Sequence, residues 1–289
     1  DGKGAEGFKT VNGIRRYFQS GKMLQSTSLQ IGDTYYAAAD NGAIKELSRN
    51  GWTKVDSTWY YVDNGNMVKD GRFKINGKTY VFDKSGRMMS KEAIEDTNQG
   101  TLGAAADGTM LKNSWAQNAL IRNHGGYWTS YGWMYFDENG QAVEDVQTIN
   151  GKMYYFYGGI MKTNSIEWLG DGSLMIADSN GVLRKANRNG WTKVDGIWYY
   201  AVNGIPVKDN LYQIGKAWYA FDYEGRMYTD CNFFMGGNAE TAGTYHAKAD
   251  GTLLKNGSWK GYDGEMYYFD ADGKGYEGIH KVNGVSYWF

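Results

Sequence analysis

The chain has 289 residues, of which 42% are hydrophobic and 16% aromatic, and its formal net charge at pH 7 is −1. No block of lysine and arginine disturbs this balance, so the electrostatic signature of a nucleic-acid or anionic-membrane binder is missing. No apolar run approaches the roughly 18 residues that a membrane-spanning helix needs, and we expect no membrane insertion.

Glycine and aromatic residues are both unusually frequent. Glycine occurs 41 times and proline once, at Pro206, which is typical of a chain built from tight turns, because glycine adopts positive φ without steric cost. The 11 Trp, 24 Tyr and 11 Phe residues exceed what one compact core with short segments would hold, so we expect many thin cores. The single cysteine, Cys231, cannot form an internal disulfide, and packing must hold the fold.

The sequence repeats itself with a long period. The octet RNGWTKVD at residues 49–56 returns unchanged at residues 188–195, about 139 residues later. TVNGIRRYF at residues 10–18 corresponds in the same way to TINGKMYYF at residues 148–156. This pattern predicts two long repeats and the start of a further one, at residues 1–146, 147–278 and 279–289. The first residues, DGKGAEGF, lack the pattern of a signal peptide, and we expect a mature segment.

A shorter unit of roughly 20–25 residues recurs inside each long repeat. It consists of an aromatic stretch, an Asp/Asn-x-Gly turn signal, and a methionine or aliphatic residue. Taken in chain order, the units of the first long repeat lie at about 12–24, 32–47, 51–70, 75–91, 100–113 and 132–146. Those of the second lie at about 149–163, 170–185, 190–209, 214–230, 242–256 and 261–278. The sequence thus predicts about twelve and a half units.

Each unit has the pattern of a β-hairpin. TWYYV at residues 58–62 is rich in residues that favour strands, DNG at residues 63–65 is a strong turn signal, and Met67 begins the return. An isolated hairpin is only marginally stable in water, whereas stacked hairpins bury their rings against one another. We therefore predict an all-β fold, a β-solenoid of stacked tandem hairpins.

Some units depart from this pattern. Four have an alanine-rich or shortened centre, which we interpret as spacers or bends: residues 35–42, 102–108, 174–181 and 245–251. Two stretches interrupt the period beside these units and are secondary candidates for recognition loops, at residues 116–131 and 231–241.

The quoted units resemble a known repeat superfamily. GWTKVDSTWYYVDNGNMVKDG at residues 51–71 and its copy from Gly190 resemble the cell-wall-binding, or choline-binding, repeats of Gram-positive surface proteins. INGKMYYFYGGIM at residues 149–161 and GEMYYFDADGKG at residues 264–275 resemble the glucan-binding repeats of glucansucrases and the receptor-binding repeats of clostridial toxins. The resemblance implies a secreted or bacterial cell-surface protein with binding sites between neighbouring hairpins. The implied ligands are choline on teichoic acid, α-glucan or a host glycan.

The resemblance also implies particular binding residues. In the choline-binding branch, a site is a box of two tryptophans and an aromatic residue of the following hairpin, which attracts a cation by about 0.5–2 kcal/mol per ring. The matching residues are Trp52, Trp59 and Tyr80 in the first long repeat and Trp191, Trp198 and Tyr219 in the second. Four further tryptophans are interpreted as packing residues: Trp115, Trp133, Trp218 and Trp259.

The sequence departs from the choline-binding branch because each long repeat has only one unit with the full pattern. This favours a glycan as ligand. We therefore expect a non-catalytic module that anchors a bacterial surface or secreted protein to a polysaccharide, cell-wall polymer or host glycan. The alternatives are a module for choline-bearing teichoic acid and a structural adhesin stalk without its own ligand. A catalytic domain outside this segment is compatible with the sequence.

No pattern of catalytic or metal-binding residues stands out, and we expect no enzyme activity, cofactor or metal in this segment. The histidines lack metal-ligand spacing, and DADGKG at residues 270–275 is interpreted as a turn. Ser130 lies in no nucleophile motif. One small acidic cluster is interpreted as a solvated loop: Glu92, Glu95 and Asp96.

Overall fold

The structure is a computed structural model that describes residues 4–90, 94–117, 122–123, 126–127, 132–236, 241–261 and 263–289. Within these ranges the chain forms strands and turns and no helix, so the prediction of an all-β chain is confirmed. Consistently, none of the described segments provides a helix that could span a membrane. The predictions for Glu92, His124 and Ser130 lie outside the described residues, as do the side chains of Glu95 and Asp96.

The described part of the chain forms thirty-four short strands. Their bounds are β1 Gly7–Val11, β2 Ile14–Gln19, β3 Lys22–Met23, β4 Thr27–Ile31, β5 Thr34–Ala38, β6 Ile44–Glu46, β7 Gly51–Val55, β8 Thr58–Asp63, β9 Asn66–Met67, β10 Gly71–Ile75, β11 Lys78–Phe82, β12 Ile94–Thr97, β13 Gly100–Gly103, β14 Ser114–Gln117, β15 Arg122–Asn123, β16 Gly126–Tyr127, β17 Trp133–Phe136, β18 Asp145–Ile149, β19 Lys152–Tyr157, β20 Ile160–Met161, β21 Ser165–Trp168, β22 Leu174–Ala177, β23 Leu183–Lys185, β24 Gly190–Val194, β25 Ile197–Val202, β26 Ile205–Pro206, β27 Asn210–Ile214, β28 Ala217–Phe221, β29 Cys231–Met235, β30 Gly243–Ala247, β31 Gly257–Lys260, β32 Met266–Phe269, β33 Ile279–Val282 and β34 Val285–Trp288.

These strands form sheets of only two or three strands each. By contacts, the chain divides into two compact units. The first unit comprises Asp1–Asp145 and Phe156–Met161, and the second comprises Val146–Tyr155 and Lys162–Phe289. The division of the sequence into six and six repeat units stays a prediction.

Neighbouring strands pair antiparallel through turns that the sequence specifies. In β8 and β9, Val62 pairs with Met67 across a turn formed by Asn64 and Gly65, whose φ angles are 49° and 82°. Two successive residues with positive φ form the type of turn whose backbone twist matches the twist of the flanking strands. Asn-Gly is the dipeptide that adopts these angles most readily. The predicted turn at residues 63–65 is therefore confirmed.

A second turn type uses an aspartate side chain to hold the backbone. The Asp83 Oδ1 atom accepts hydrogen bonds from the backbone N–H groups of Ser85 at 2.8 Å and Arg87 at 2.9 Å. Its Oδ2 atom accepts a third from Arg87 Nε at 2.6 Å. Asp270 makes the same two backbone contacts within residues 270–275. The interpretation of DADGKG as a turn is thereby confirmed.

Backbone hydrogen bonds also connect one hairpin to the next. The N–H of Met88 donates to the carbonyl of Trp59 at 2.7 Å, and the N–H of Met110 donates to the carbonyl of Thr79 at 2.8 Å. In the second unit, the N–H of Met227 donates in the same way to the carbonyl of Trp198 at 2.9 Å. At these three junctions, a hairpin therefore lies in a fixed register against the hairpin that follows it.

The hydrophobic cores are small, as expected from the composition. Each cluster contains three to six buried residues, in contact with a few half-buried rings and aliphatic side chains. Tyr60 and Tyr199 are among the largest side chains that are fully buried. Because a thin core holds few residues, one buried tyrosine accounts for a large share of its packing.

The buried tyrosines make stability sensitive to alkaline pH. Burial raises the pKa of Tyr60 to about 12, against an opposing effect of Arg87, and burial likewise raises the pKa of Tyr199. Above its ordinary value of about 10, tyrosine loses its proton in the unfolded chain but keeps it in the folded chain. The contribution of Tyr60 is thus complete below pH 10 and lost as pH rises through about 12, and the contribution of Tyr199 is lost in the same direction.

We predict that the midpoint of thermal unfolding falls above pH 10 and that Tyr60→Phe reduces this fall. Unfolding is measured by circular dichroism between pH 8 and pH 12. Tyr223→Phe, at a ring that is 70% exposed, is the matched control and should leave the pH profile unchanged. A Tyr60→Phe protein with the parent's profile would show that this buried ring does not cause the alkaline loss.

Candidate functional site: two aromatic pockets

The first pocket brings together the three residues that the sequence predicts for the first long repeat. It has a volume of ≈ 270 Å³ and is lined by Trp52, Trp59, Tyr80, Met88 and Asp107. The ring centroids of Trp52 and Trp59 lie 6.1 Å apart with an interplanar angle of 85°. Those of Trp52 and Tyr80 lie 5.0 Å apart at 75°. Three rings thus enclose a small space from different directions.

The second pocket repeats this arrangement within the second unit. Its volume is ≈ 250 Å³, and it is lined by Trp191, Trp198, Tyr219, Met227 and Asp250. Trp191 lies 5.9 Å from Trp198 at 77° and 5.0 Å from Tyr219 at 73°. The same five residue types therefore occur in the same geometry twice.

Strand register explains why the two tryptophans of a pocket meet. In the pair β7–β8, Trp52 lies opposite Tyr61 and Lys54 lies opposite Trp59. Residues two positions apart on a strand share a face, so Trp52 and Trp59 are diagonal neighbours on one face of the hairpin. The bond between Met88 and Trp59 then fixes β11 and its Tyr80 beside them. The pocket thus forms where one hairpin joins the next.

The structure adds two residues to each pocket that the sequence does not predict. Met88 and Met227 follow the Asp-x-x-Gly turns, and each lies against the glycine of the next turn, Gly108 or Gly251. Both glycines have positive φ, and a Cβ built on either would clash with the methionine side chain. These glycines therefore allow the methionine to reach the pocket.

The other added residue is an aspartate from an alanine-centred unit. Residues 102–108 and 245–251 were expected to act as spacers or bends, but they supply Asp107 and Asp250 to the two pockets. The backbone bridges Tyr80 to Thr109, two residues after Asp107, which places the aspartate next to the rings. These two units therefore also contribute a side chain to a pocket, and their interpretation as spacers or bends stays a prediction. A four-residue Ala-Asp-Gly-Thr pattern, at 106–109 and 249–252, is the signal that marks them.

Each aspartate is held in place by the threonine two residues later. Asp107 Oδ1 accepts hydrogen bonds from Thr109 N at 3.0 Å and Thr109 Oγ1 at 2.5 Å. Asp250 Oδ1 accepts the same pair from Thr252 at 2.9 and 2.7 Å. The threonine hydroxyl is the main cause that lowers the pKa of both carboxyl groups. Both pockets thus carry a fixed negative charge at neutral pH.

A lysine lies over the outer tryptophan of each pocket. The Lys54 Nζ atom is 5.5 Å from the centroid of Trp59, and the Lys193 Nζ atom is 5.1 Å from the centroid of Trp198. Trp59 and Trp198 are each 37% exposed. Because a cation over an aromatic face is attracted by the ring, the lysine restricts how the tryptophan can turn.

A third ring cluster in the first unit has the same geometry. Trp115 lies 6.4 Å from Trp133 at 87°, 5.1 Å from Tyr135 at 64°, and 5.9 Å from Phe156 at 29°. Trp52 has matching distances to Trp59, Tyr61 and Phe82, at 6.1, 4.9 and 5.9 Å. Trp133 is also 40% exposed. Its ring therefore lies partly at the surface, whereas the sequence indicates a packing residue.

Among the described residues, no group of three or more His, Cys, Asp and Glu side chains could hold a metal ion. His246 instead contacts two neighbouring side chains. Its ring stacks on Trp259 at 4.6 Å, and its Nδ1 atom lies 2.8 Å from Asn232 Oδ1. Burial lowers the pKa of this histidine. The cluster of His246 and Trp259 therefore contributes to packing.

A known repeat family matches the two hairpins that carry the tryptophan pairs. The family, described as "Putative cell wall binding repeat", matches residues 50–66 and 189–203. This match supports the superfamily of cell-wall-binding, or choline-binding, repeats. The resemblance that the sequence suggests is thus confirmed.

Curated relatives come from streptococci. Glucosyltransferase-S of Streptococcus mutans is 30% identical over 199 residues, or 68% of this chain. Glucosyltransferase-I of Streptococcus downei is 26% identical over 286 residues, or 92% of this chain. The chain spans 13% and 16% of the lengths of these two relatives.

Two solved structures with weak similarity are longer chains than this one. Alternansucrase in complex with isomaltononaose shares 23% identity and a TM-score of 0.34, over 89% of this chain and 19% of that chain. The modular autolysin LytC from Streptococcus pneumoniae shares 21% identity and a TM-score of 0.37, over 91% of this chain and 51% of that chain.

The two tryptophans of a pocket should differ in what they contribute to stability. Trp52 stacks on Phe82 and packs on a core of Val68 and Ile75, whereas Trp59 lies at the edge of the pocket. We predict that Trp52→Ala lowers the free energy of unfolding by about 3 kcal/mol and Trp59→Ala by roughly 1 kcal/mol. Denaturation with urea, followed by circular dichroism, measures both. Equal losses would contradict this division of roles.

Proposed function

We propose that this chain is a non-catalytic module that holds a carbohydrate or cell-wall polymer for a secreted or surface-exposed bacterial protein. The observation that carries the proposal is the recurrence of one aromatic pocket, with the same five residue types, in both units. A packing role alone does not require a partly exposed tryptophan, a methionine and an oriented carboxylate at both places. A binding role requires such a set, because ligand pockets combine apolar walls with a few placed polar groups.

The family match supports this proposal. It falls on the hairpins of Trp52 and Trp59 and of Trp191 and Trp198, which are the pocket tryptophans. The relatives named as glucosyltransferases are several times longer than this chain. We therefore propose that the module concentrates a polymer near whatever domain it is joined to, while chemistry, where there is any, belongs to that domain.

We also propose that the hairpins stack into a β-solenoid of about twelve and a half units. Support comes from the backbone bonds between successive hairpins, such as those from Met88 to Trp59 and from Met110 to Thr79. Each such bond places the rings of one hairpin against the next, which is how repeat proteins bury a continuous core. Under this arrangement the pockets lie at junctions between hairpins.

Ring geometry favours a second candidate for the ligand of the two pockets, a quaternary ammonium group such as choline. A sugar ring stacks best on one flat, open aromatic face, whereas the rings of Trp52, Trp59 and Tyr80 stand at steep angles to one another. Steeply inclined rings suit a compact, round group that touches several faces at once, which is the usual aromatic cage for methylated ammonium. A polymer that carries such groups would satisfy both candidates.

We predict that the isolated chain is retained on at least one polymer and that Trp59→Ala and Trp198→Ala each weaken retention by about tenfold. The double variant should lose more than either, because two weak sites on one chain reinforce each other through effective concentration. Retention is measured in parallel on choline resin, cross-linked dextran, starch and purified cell wall. The material that retains the unmodified chain identifies the class of ligand.

The matched control is Trp168→Ala, which removes a ring that is 61% exposed and lies outside both pockets. Its retention should equal that of the parent. A double variant that is retained as well as the parent would rule out the pockets as the binding sites. Failure of every polymer to retain the parent would instead favour a structural stalk without its own ligand.

A further inference from the structure

Each pocket has a carboxylate at its rim. One oxygen of this carboxylate accepts the hydrogen bonds of the turn, and the other oxygen takes no part in them. In Asp107, the Oδ1 atom accepts both hydrogen bonds from Thr109, and Lys78, at 4.0 Å, is the only partner of Oδ2 among the described residues. The side chains of Lys78 and Asp107 are 64% and 61% exposed. An ion pair this long and this exposed is weak, so it neutralises the carboxylate only in part.

The second pocket places its carboxylate in the same way. Asp250 Oδ1 accepts both hydrogen bonds from Thr252, and Ala217 stands where the first pocket has Lys78, two positions before the pocket tyrosine. The positive charge that acts on Asp250 comes from Lys248, which makes no ion pair with it within 4.0 Å among the described residues. Both pockets thus have an aspartate carboxylate in the same orientation, although the lysine near it differs between the two pockets.

Other aspartates of the chain share the turn geometry without lining a pocket. Asp171 Oδ1 accepts a hydrogen bond from the N–H of Ser173 at 2.8 Å, in an Asp-Gly-Ser turn like the Asp-Gly-Thr turns of the pockets. Asp171 is absent from the lining of both pockets. The turn alone therefore explains the bond to Oδ1 but not the placement of Asp107 and Asp250 beside three aromatic rings.

We propose that Asp107 and Asp250 select ligands by charge, so that each pocket takes a compact cationic group in preference to a neutral group of the same shape. The rings attract a cation through their faces, and the carboxylate adds an attraction that a neutral group does not feel. Lys54 and Lys193 lie over the outer tryptophans at similar distances, 5.5 and 5.1 Å, and so oppose a cation to a similar degree in the two pockets. This inference rests on the proposed function, because it requires that the pockets bind a ligand.

The experiment uses two probes of equal shape, choline and its uncharged analogue 3,3-dimethyl-1-butanol. Both carry nine equivalent methyl protons, so ligand-observed nuclear magnetic resonance gives their dissociation constants under the same conditions. The full chain with Trp59→Ala isolates the second pocket. In this background, Asp250→Asn is compared with Asp171→Asn as the matched control. Asparagine keeps an oxygen that accepts the bonds from Thr252, so the turn persists.

We expect choline to bind more tightly than the neutral analogue in the Trp59→Ala protein. Asp250→Asn should raise the dissociation constant of choline by about 3- to 10-fold, the range for one charge acting across a partly exposed pocket. It should leave that of the neutral analogue unchanged, which also shows that the pocket remains folded. Salt at 1 M should reduce the preference for choline, because charges are then screened within roughly 3 Å. Asp171→Asn should change neither constant.

Three results would overturn the inference. Equal binding of the two probes, or an unchanged preference for choline in Asp250→Asn, would overturn charge selection while the aromatic pocket stands as a binding site. A loss of preference in Asp171→Asn as large as in Asp250→Asn would show that net charge, and not the rim position, causes it. Binding of neither probe would overturn the aromatic cage itself and charge selection with it.

Discussion

The hydrogen bond from one hairpin to the next is the constraint on which the rest of the structure depends. A sheet of two or three strands has no second layer of its own, so its rings must find cover on a neighbour. The bond from Met88 to Trp59, repeated from Met227 to Trp198, sets the register in which they do so. Because this register is fixed by backbone atoms, side chains can vary between copies while the junction keeps its geometry.

Core and pocket share the same rings at these junctions. Trp52 stacks on Phe82 and also lines the pocket, while Trp59 remains at the rim. A ring locked by packing loses little conformational freedom when a ligand arrives, which favours binding even where contacts are few. The same sharing limits the pocket to ≈ 270 Å³, so each site suits a small group rather than a long stretch of polymer. Specificity must then come from the few polar atoms at the rim.

The sequence predicts the hairpins because their turn signals are local and periodic, and the resemblance to choline-binding repeats implies three residues of each pocket. Asn64 and Gly65 form a turn by their own conformational preferences, and Trp52 and Trp59 lie seven positions apart in both copies. Asp107 escapes prediction because it reaches the pocket through a bridge between Tyr80 and Thr109, from a hairpin without an aromatic triplet. Contacts set by register across hairpins are therefore the part that a linear pattern does not reveal.

The presence of two pockets on one chain compensates for the weak binding of each. A cage of three rings attracts a cation by about 0.5–2 kcal/mol per ring, less the cost of immobilising the ligand. One such site exchanges quickly, but a polymer presents the same group many times, and a chain with two pockets can rebind before it diffuses away. Selection of that group by the carboxylate at each rim would then act twice on the same polymer. When both pockets prefer a cationic group, their two modest preferences multiply. Each pocket is too small to recognise a polymer by its shape, but it can contribute to recognising the polymer by the charge of its side groups.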